Sequence, residues 1–196
     1  MQIRRYIPTD ETGWVRCRVL SFLETAYYDN VLKEKESYEN PAIELVAEAD
    51  GQIVGLIDVE YEQLERAVCS RGNGLGGMIW HIAVHPDYGR SGIGSQLLHE
   101  AEKLAIEKGL NRLEAWTRDD KWVNNWYEKN GFVKVDSYYH VFMEGEKELN
   151  KAMKSQIPYL HPVQAFAHYT GNDVDKVNET FLRTHECMCF EKYIKT

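Results

Sequence analysis

The residues best suited to chemistry lie in the run Arg90–Ser95 (RSGIGS), between an apolar strand pattern and an apolar helix pattern. A helix that begins there leaves backbone N–H groups unpaired and points the positive end of its dipole at solvent, which favours a phosphate group. Gly92 and Gly94 have no Cβ atom to obstruct a ligand, and Arg90 adds a charge that can pair with phosphate. The run lacks the Gly-Lys-Ser/Thr of a P-loop, and Leu97 stands where a dinucleotide fingerprint has its third glycine or alanine. We therefore expect a phosphate-binding turn of another kind.

Two further segments extend this pattern. Ile82–Tyr88 (IAVHPDY) directly precedes the turn, and Trp126–Phe132 (WYEKNGF) follows it about 30 residues downstream. Together with Arg90–Ser95, the first segment resembles the acetyl-CoA pyrophosphate loop of the GNAT superfamily of N-acetyltransferases. The second segment is similar to another hallmark of that family. The resemblance covers roughly residues 1–143 and the last predicted strand.

The resemblance implies that acetyl-CoA is the co-substrate. It also implies a β-bulge in the strand Met78–Val84, beside which the backbone of Ile82, Ala83 and Val84 pairs with the pantetheine arm as if the cofactor were a further strand. A backbone N–H of Ile82 or Ala83 would stabilise the developing oxyanion of the thioester. The remaining cofactor contacts carried over from the family are Gly89, Arg90, Ser91, Gly92, Ile93, Gly94, Ser95, Asp120, Asn124 and Asn125.

Two of those positions depart from the family pattern. Gly89 stands where the family usually has Gln or Arg, and the neighbouring Arg90 could substitute for it. Asp120 stands where the family often has Asn, and Asn124 or Asn125 could replace that contact. The cofactor contact at Asp120 is accordingly an open question at the level of the sequence.

The resemblance makes Tyr127 the general acid. A phenol is protonated at neutral pH, so it can protonate the departing thiolate; the alternative is a buried aromatic residue with no chemical role. A primary amine arrives as a cation and must lose a proton before attack. Glu114 and His81 are the two candidate bases, each with the alternative of an ordinary strand residue, and a water relay is a third option.

The elements that must hold these residues follow from periodicity and turn residues. Asp50-Gly51 separates two strand-like runs, which predicts a β-hairpin. Apolar residues at helical spacing follow the glycine turn and end at Gly109. The charges of residues 29–40 are typical of a solvated helix. The predicted strands are residues 2–7, 43–48, 52–59, 78–84, 113–117, 132–143, 163–169 and 184–194, and the other predicted helices span about 10–26, 119–130 and 144–156.

Composition limits the partners. Lys and Arg number 23 against 31 Asp and Glu, for a net charge of −8, which argues against nucleic acid or an anionic membrane surface and favours a cationic acceptor. No apolar run is long enough to span a membrane, and none follows the first residues as a leader would, so we expect a cytoplasmic protein. The four cysteines lack the paired spacing of a zinc site, and no metal is expected.

The length and the periodicity predict a single α/β domain over residues 1–196. The resemblance implies that its sheet is a mixed, splayed GNAT-type sheet of about seven strands flanked by helices. An insertion of about 144–183 precedes the last strand; it either covers the acceptor side of the sheet or forms a contact between two copies. The predicted function is transfer of acetyl from acetyl-CoA to a primary amine of a small molecule or protein, by direct attack in a ternary complex. The alternative is a non-catalytic acyl-CoA-binding module, because a fold does not fix a function.

Overall fold

The computed structural model describes residues 1–194, which form a mixed α/β fold. The strands are β1 (Gln2–Arg5), β2 (Ala42–Ala49), β3 (Gln52–Tyr61), β4 (Gly76–Val84), β5 (Arg112–Thr117), β6 (Val133–Glu144), β7 (Gln164–Tyr169) and β8 (Arg183–Tyr193). The helices are α1 (Glu11–Phe22), α2 (Ile93–Glu107), α3 (Lys121–Lys129), α4 (Gly145–Ala152) and α5 (Val174–Thr180). Hydrogen-bonded neighbours follow the order β1-β2-β3-β4-β5-β8-β6-β7. The described sheet has eight strands rather than about seven, because β7 of the predicted insertion also pairs.

The hairpin of β2 and β3 confirms the prediction made from Asp50-Gly51. Both turn residues have positive φ, 52° for Asp50 and 75° for Gly51, as a type I′ turn requires. The two strands then pair from Ala49↔Gln52 to Ala42↔Glu60. The turn sets the register of the pairs next to it, and a shift at Val54 changes that register from Ala47↔Gly55 onward.

The strands next to the site are buried on both faces. Val46 and Leu56 pack with Trp14 and Cys17 of α1 in one apolar cluster. On the opposite face, a Cβ at Gly55 would lie 2.8 Å from Ile93 at the start of α2, so only glycine permits this approach. The helix α2 is thereby fixed closely against β3.

The segment 29–40 corrects a prediction, because it forms no helix. Its side chains bond to β3 instead. Lys35 Nζ lies 2.9 Å from Asp58 Oδ2, the Tyr38 hydroxyl donates to the same oxygen at 2.8 Å, and the Asn40 backbone N–H donates to Glu60 at 2.9 Å. These contacts hold the segment extended, in place of the local hydrogen bonds of a helix.

Two compact units make up the described chain. The first comprises Met1–Val135 with the described residues from Cys189 onward, and the second is Asp136–Met188. In the second unit, Val141 and Met143 of β6 form a core with Leu149 of α4 and Val177 of α5. The unit extends beyond both ends of the predicted insertion, and α5 lies in a stretch for which no helix was predicted. The single-domain organisation stays a prediction.

Candidate active site

A β-bulge interrupts β4 at Trp80. Asp58 of β3 faces His81, whereas the next residue, Val59, faces Ile79, so Trp80 is the extra residue of β4. Among the described residues, β4 pairs in parallel with β5 only as far as Ile79↔Ala115, although β4 continues to Val84. The sheet is therefore splayed beyond the bulge, as the resemblance implied.

Beyond Ile79, β4 has no strand paired on the side of β5, which leaves an opening in the described sheet. The backbone groups of successive β4 residues face alternately toward β3 and toward this opening. The His85 N–H donates to Val54 O at 2.9 Å, so the antiparallel pattern also turns the N–H and C=O of Ala83 toward β3. The backbone groups of Ile82 and Val84 then point away from β3, and the Val84 carbonyl accepts a hydrogen bond from Ser21 Oγ at 2.7 Å. Of the two candidate oxyanion donors, the Ile82 N–H faces the opening and the Ala83 N–H faces β3.

The glycine turn connects this strand to α2. Pro86–Tyr88 form a single 3₁₀ turn, and Gly92 precedes α2 with φ +81°, a conformation that side-chain-bearing residues rarely adopt. Ile93 is buried, whereas Gly89, Arg90, Ser91 and Ser95 are exposed and Gly94 is half-buried. The first turn of α2 carries no acidic residue, so no carboxylate of that turn would repel an anion from its N–H groups.

The second motif lies in α3, which contacts the same turn. A Cβ at Gly94 would lie 3.6 Å from the ring of Trp126 and 3.6 Å from Val84, so the three residues are neighbours. Tyr127 is 4% exposed and stacks on Phe190, with ring centroids 5.3 Å apart. Burial raises the pKa of its phenol, and within residues 1–194 the hydroxyl makes no hydrogen bond. Tyr127 therefore combines the packing of a core residue with an uncommitted proton.

Glu114 is completely buried in a network of hydrogen bonds. Its carboxylate accepts from the backbone N–H groups of Ser70 at 3.1 Å and Arg71 at 2.9 Å, and from Trp116 Nε1 at 2.9 Å. Arg112 lies 3.4 Å away. Burial alone would raise the pKa of Glu114, but these hydrogen bonds outweigh it and the pKa lies below the ordinary value. A carboxylate so committed is a weak proton acceptor.

His81 has a partner that the sequence did not reveal. Its Nε2 lies 2.7 Å from Glu36 Oε2, and its ring packs edge-on against Trp14. The other nitrogen, Nδ1, is buried and has no hydrogen-bond partner among the described residues. The hydrogen bond from His81 lowers the pKa of Glu36. Glu36 was missed because its segment was predicted to be a solvated helix, and no local pattern places it beside β4.

Asp120 contacts the chain beyond α1. Both carboxylate oxygens accept from the Ala26 N–H, at 3.1 and 2.9 Å, while Arg118 donates to the Ala26 carbonyl. Asp120 and Arg118 thus bind the backbone N–H and the backbone C=O of the same residue, Ala26. Asn124 is half-buried on the first turn of α3, and Asn125 is exposed beside it.

Comparison with known proteins identifies the class. A family model for the acetyltransferase (GNAT) domain matches residues 40–134. An acetyltransferase of Pectobacterium atrosepticum is 30% identical over 126 residues, which are 64% of this chain and 79% of that protein. A GNAT-family acetyltransferase from Streptococcus pneumoniae has the same fold, with a TM-score of 0.62 over 99% of both chains at 19% identity. A GNAT-family acetyltransferase from Elizabethkingia anophelis, whose crystal structure has acetyl-CoA bound, gives a TM-score of 0.51 over 98% of this chain and 97% of that one, at 16% identity.

The family model and the named relative make this chain an acyltransferase, and acetyl-CoA is the co-substrate of that family. The chain belongs to the GNAT family of acetyltransferases. Within residues 1–194, no helix has the length and apolarity needed to cross a membrane. In the same part of the chain, no three His, Cys, Asp or Glu side chains cluster as metal ligands would.

Proposed function

We propose that this acetyltransferase moves the acetyl group of acetyl-CoA to a primary amine by direct attack in a ternary complex. The observation that carries the proposal is the path along β4. The strand leaves β5 after Ile79, exposes alternate backbone groups, and runs directly into the glycine turn before α2. A linear cofactor lying along this path has its pyrophosphate at the turn and its thioester beside the bulge.

The cofactor contacts follow from that placement. The N–H groups of the first turn of α2 and the exposed Arg90 face the pyrophosphate. The backbone groups of Ile82 and Val84 receive the amides of the pantetheine arm, and the Ile82 N–H also suits the oxyanion that develops on the thioester. Asn124 and Asn125 stay candidates for a further contact, whereas the Asp120 carboxylate accepts hydrogen bonds from the Ala26 N–H.

The reaction requires two proton transfers. The neutral amine attacks the thioester carbon, the C–S bond breaks, and the thiolate takes a proton, for which Tyr127 is the proposed donor. The ammonium form of the acceptor must first lose a proton. His81 is better supported as its acceptor than Glu114. The imidazole of His81 pairs with Glu36 through Nε2, and its buried Nδ1 is not bound by any described group, whereas the Glu114 carboxylate already accepts several hydrogen bonds.

The net charge of −8 supports a cationic acceptor and disfavours nucleic acid as a partner. A contact between two copies through the insertion stays a prediction. Free thiol released from acetyl-CoA across a panel of primary amines tests the function. We expect amine-dependent release, and Gly92→Asp serves as the binding-deficient control. Normal acetyl-CoA binding with no amine that raises thiol release above the amine-free rate would contradict the proposal.

A further inference from the structure

A groove of about 760 Å³ opens beside the bulge of β4. Volumes of this order are typical of small-molecule sites. One wall is the extended segment 31–40, and the other side is formed by Glu60, Trp80 and the pair Ala67 and Val68. Every lining residue belongs to the first compact unit.

An immobilised aromatic ring lines the groove. Trp80 is 48% exposed, which is unusual for so large an apolar side chain, yet its indole N–H donates to Glu60 Oε2 at 2.7 Å. The other Glu60 oxygen accepts from the backbone and side-chain nitrogens of Asn40, both at 2.9 Å. Burial opposes ionisation of Glu60, but these hydrogen bonds lower its pKa overall. The groove therefore presents a fixed ring face next to a permanent negative charge.

The remaining charges of the groove are also predominantly negative. Its lining contains four glutamates and two lysines, namely Glu34, Glu36, Glu39, Glu60, Lys33 and Lys35. The Lys35 ammonium is buried and already bonds to Asp58 and Glu44 behind the wall. Glu36 is about half exposed toward solvent and is held in place by His81. With Lys35 committed to those partners, Lys33 is the one other lysine in the described lining against four glutamates, so carboxylates remain in excess.

The groove adjoins the point where the reaction is proposed to occur. Trp80 is both a lining residue and the bulged residue of β4, directly after Ile79, where pairing with β5 ends. Glu36 links the wall to His81 on the other side of the bulge. A molecule in the groove therefore lies next to the thioester end of the cofactor path.

We propose that this groove binds the acceptor, and that the acceptor is an amine carrying a second cationic group on an apolar arm. The arm lies against the Trp80 ring, and the second cation is held by the ring face and the carboxylates, since cations bind to indole faces and to carboxylates. The amine that reacts must first become neutral. The positive charge that the groove binds is therefore that of the second cationic group. This inference rests on the proposed function for its reaction but on the groove alone for its binding.

Calorimetry with two probes that share a four-carbon chain tests the binding. Butane-1,4-diamine, which carries two cationic groups, and n-butylamine, which carries one, are each titrated into the protein saturated with CoA. We expect the diamine to bind about tenfold more tightly, or about 1.4 kcal/mol. Glu36→Gln and Trp80→Leu should each reduce that ratio at least about threefold, because each removes one of several weak contacts. Glu107→Gln, an equal charge change on the exposed end of α2, should leave the ratio unchanged.

The outcomes separate the groove from the reaction. Equal affinities for the two probes, no binding of either, or a ratio that both variants leave unchanged would overturn the acceptor assignment. Thiol release with n-butylamine and the diamine is measured in parallel. If thiol is released but the two probes bind equally well, the acceptor assignment of the groove is rejected and the transfer function stands. If the diamine binds more tightly but neither probe causes thiol release, the groove assignment stands and the transfer function is rejected. Circular dichroism of each variant confirms folding, and the isosteric Glu36→Gln keeps the test valid if Trp80→Leu unfolds.

Discussion

Replacing Glu114 by Gln distinguishes a structural carboxylate from a catalytic base. The side chain is fully buried and its oxygens accept hydrogen bonds from Ser70, Arg71 and Trp116, with Arg112 at 3.4 Å. Glutamine has the same shape, but its amide nitrogen donates rather than accepts. One of these buried donors therefore loses its acceptor, and Arg112 loses one of its negative neighbours.

The expected cost follows from this geometry. Removing one partner of a buried ion pair lowers the free energy of unfolding by about 3–5 kcal/mol. Because Arg112 keeps Glu62 and Glu191 at 3.4 Å, we expect a loss at the low end, about 3 kcal/mol. In a chain of 150–250 residues, each kcal/mol shifts Tm by about 2–4 °C, which gives a drop of about 6–12 °C. Ser70→Ala, which removes one hydroxyl donor to the same carboxylate, should cost only about 1 kcal/mol.

The pH dependence has a defined sign. The pKa of Glu114 in the folded protein is lowered, so its stabilising contribution is complete above the unfolded pKa of about 4.3. That contribution is lost as pH falls through the lower folded pKa. The Tm difference between the wild type and Glu114→Gln should therefore be constant near neutral pH and should narrow below about pH 4.

Thermal unfolding followed by circular dichroism, together with amine-dependent thiol release, decides between the roles. A structural carboxylate predicts a lower Tm and a rate that recovers at temperatures where the variant is folded. An unchanged Tm with a kcat loss of about a hundredfold or more, and loss of the pH dependence of the rate on the acid side, would refute this reasoning and make Glu114 the base.

Three further substitutions address the cofactor path and the acid. Gly92→Asp should weaken acetyl-CoA binding more than about tenfold by calorimetry, whereas Gly92→Asn, which shares the backbone strain at φ +81° without the charge, should lose less; equal losses would remove charge repulsion as the cause. Tyr127→Phe keeps the ring packing, so kcat should fall about 10²–10⁴-fold with little change in Tm, and an unchanged kcat would exclude the acid role. Asp120→Ala should lower the free energy of unfolding by about 1.5–3 kcal/mol in urea titrations, since it removes the acceptor of Ala26, while a loss of acetyl-CoA affinity alone would indicate a cofactor contact.

The parts of the fold that the sequence predicted correctly depend on local chemistry. The Asp50-Gly51 turn needs positive φ at both residues, and few other dipeptides supply it. Gly92 precedes the start of α2 and Gly109 follows its end for the same reason, with φ of +81° and +79°. Each signal acts within a few residues of itself, so a single sequence is sufficient to read it.

The features that the sequence did not reveal involve contacts between distant segments. The segment 29–40 has the charge spacing of a solvated helix, yet Lys35 and Tyr38 bond to Asp58 on β3. The partnership of Glu36 with His81 spans 45 positions, and that of Glu114 with Ser70 spans 44. Nothing in the local pattern distinguishes a buried, hydrogen-bonded glutamate from an exposed one, because the donors come from another loop.

The single extra residue at the bulge connects the cofactor path with the groove. The register Val59↔Ile79, continued without a bulge, would set Trp80 opposite Asp58 and Ile82 opposite Leu56, turning the Ile82 backbone toward β3. With the bulge, His81 and Ala83 take those positions instead. The Ile82 N–H then faces the opening, and Trp80 is left to line the groove. One inserted residue thus selects the backbone groups that are proposed to contact the cofactor and the side chain that is proposed to contact the acceptor. Deletion of Trp80 is therefore expected to disturb both proposed sites together.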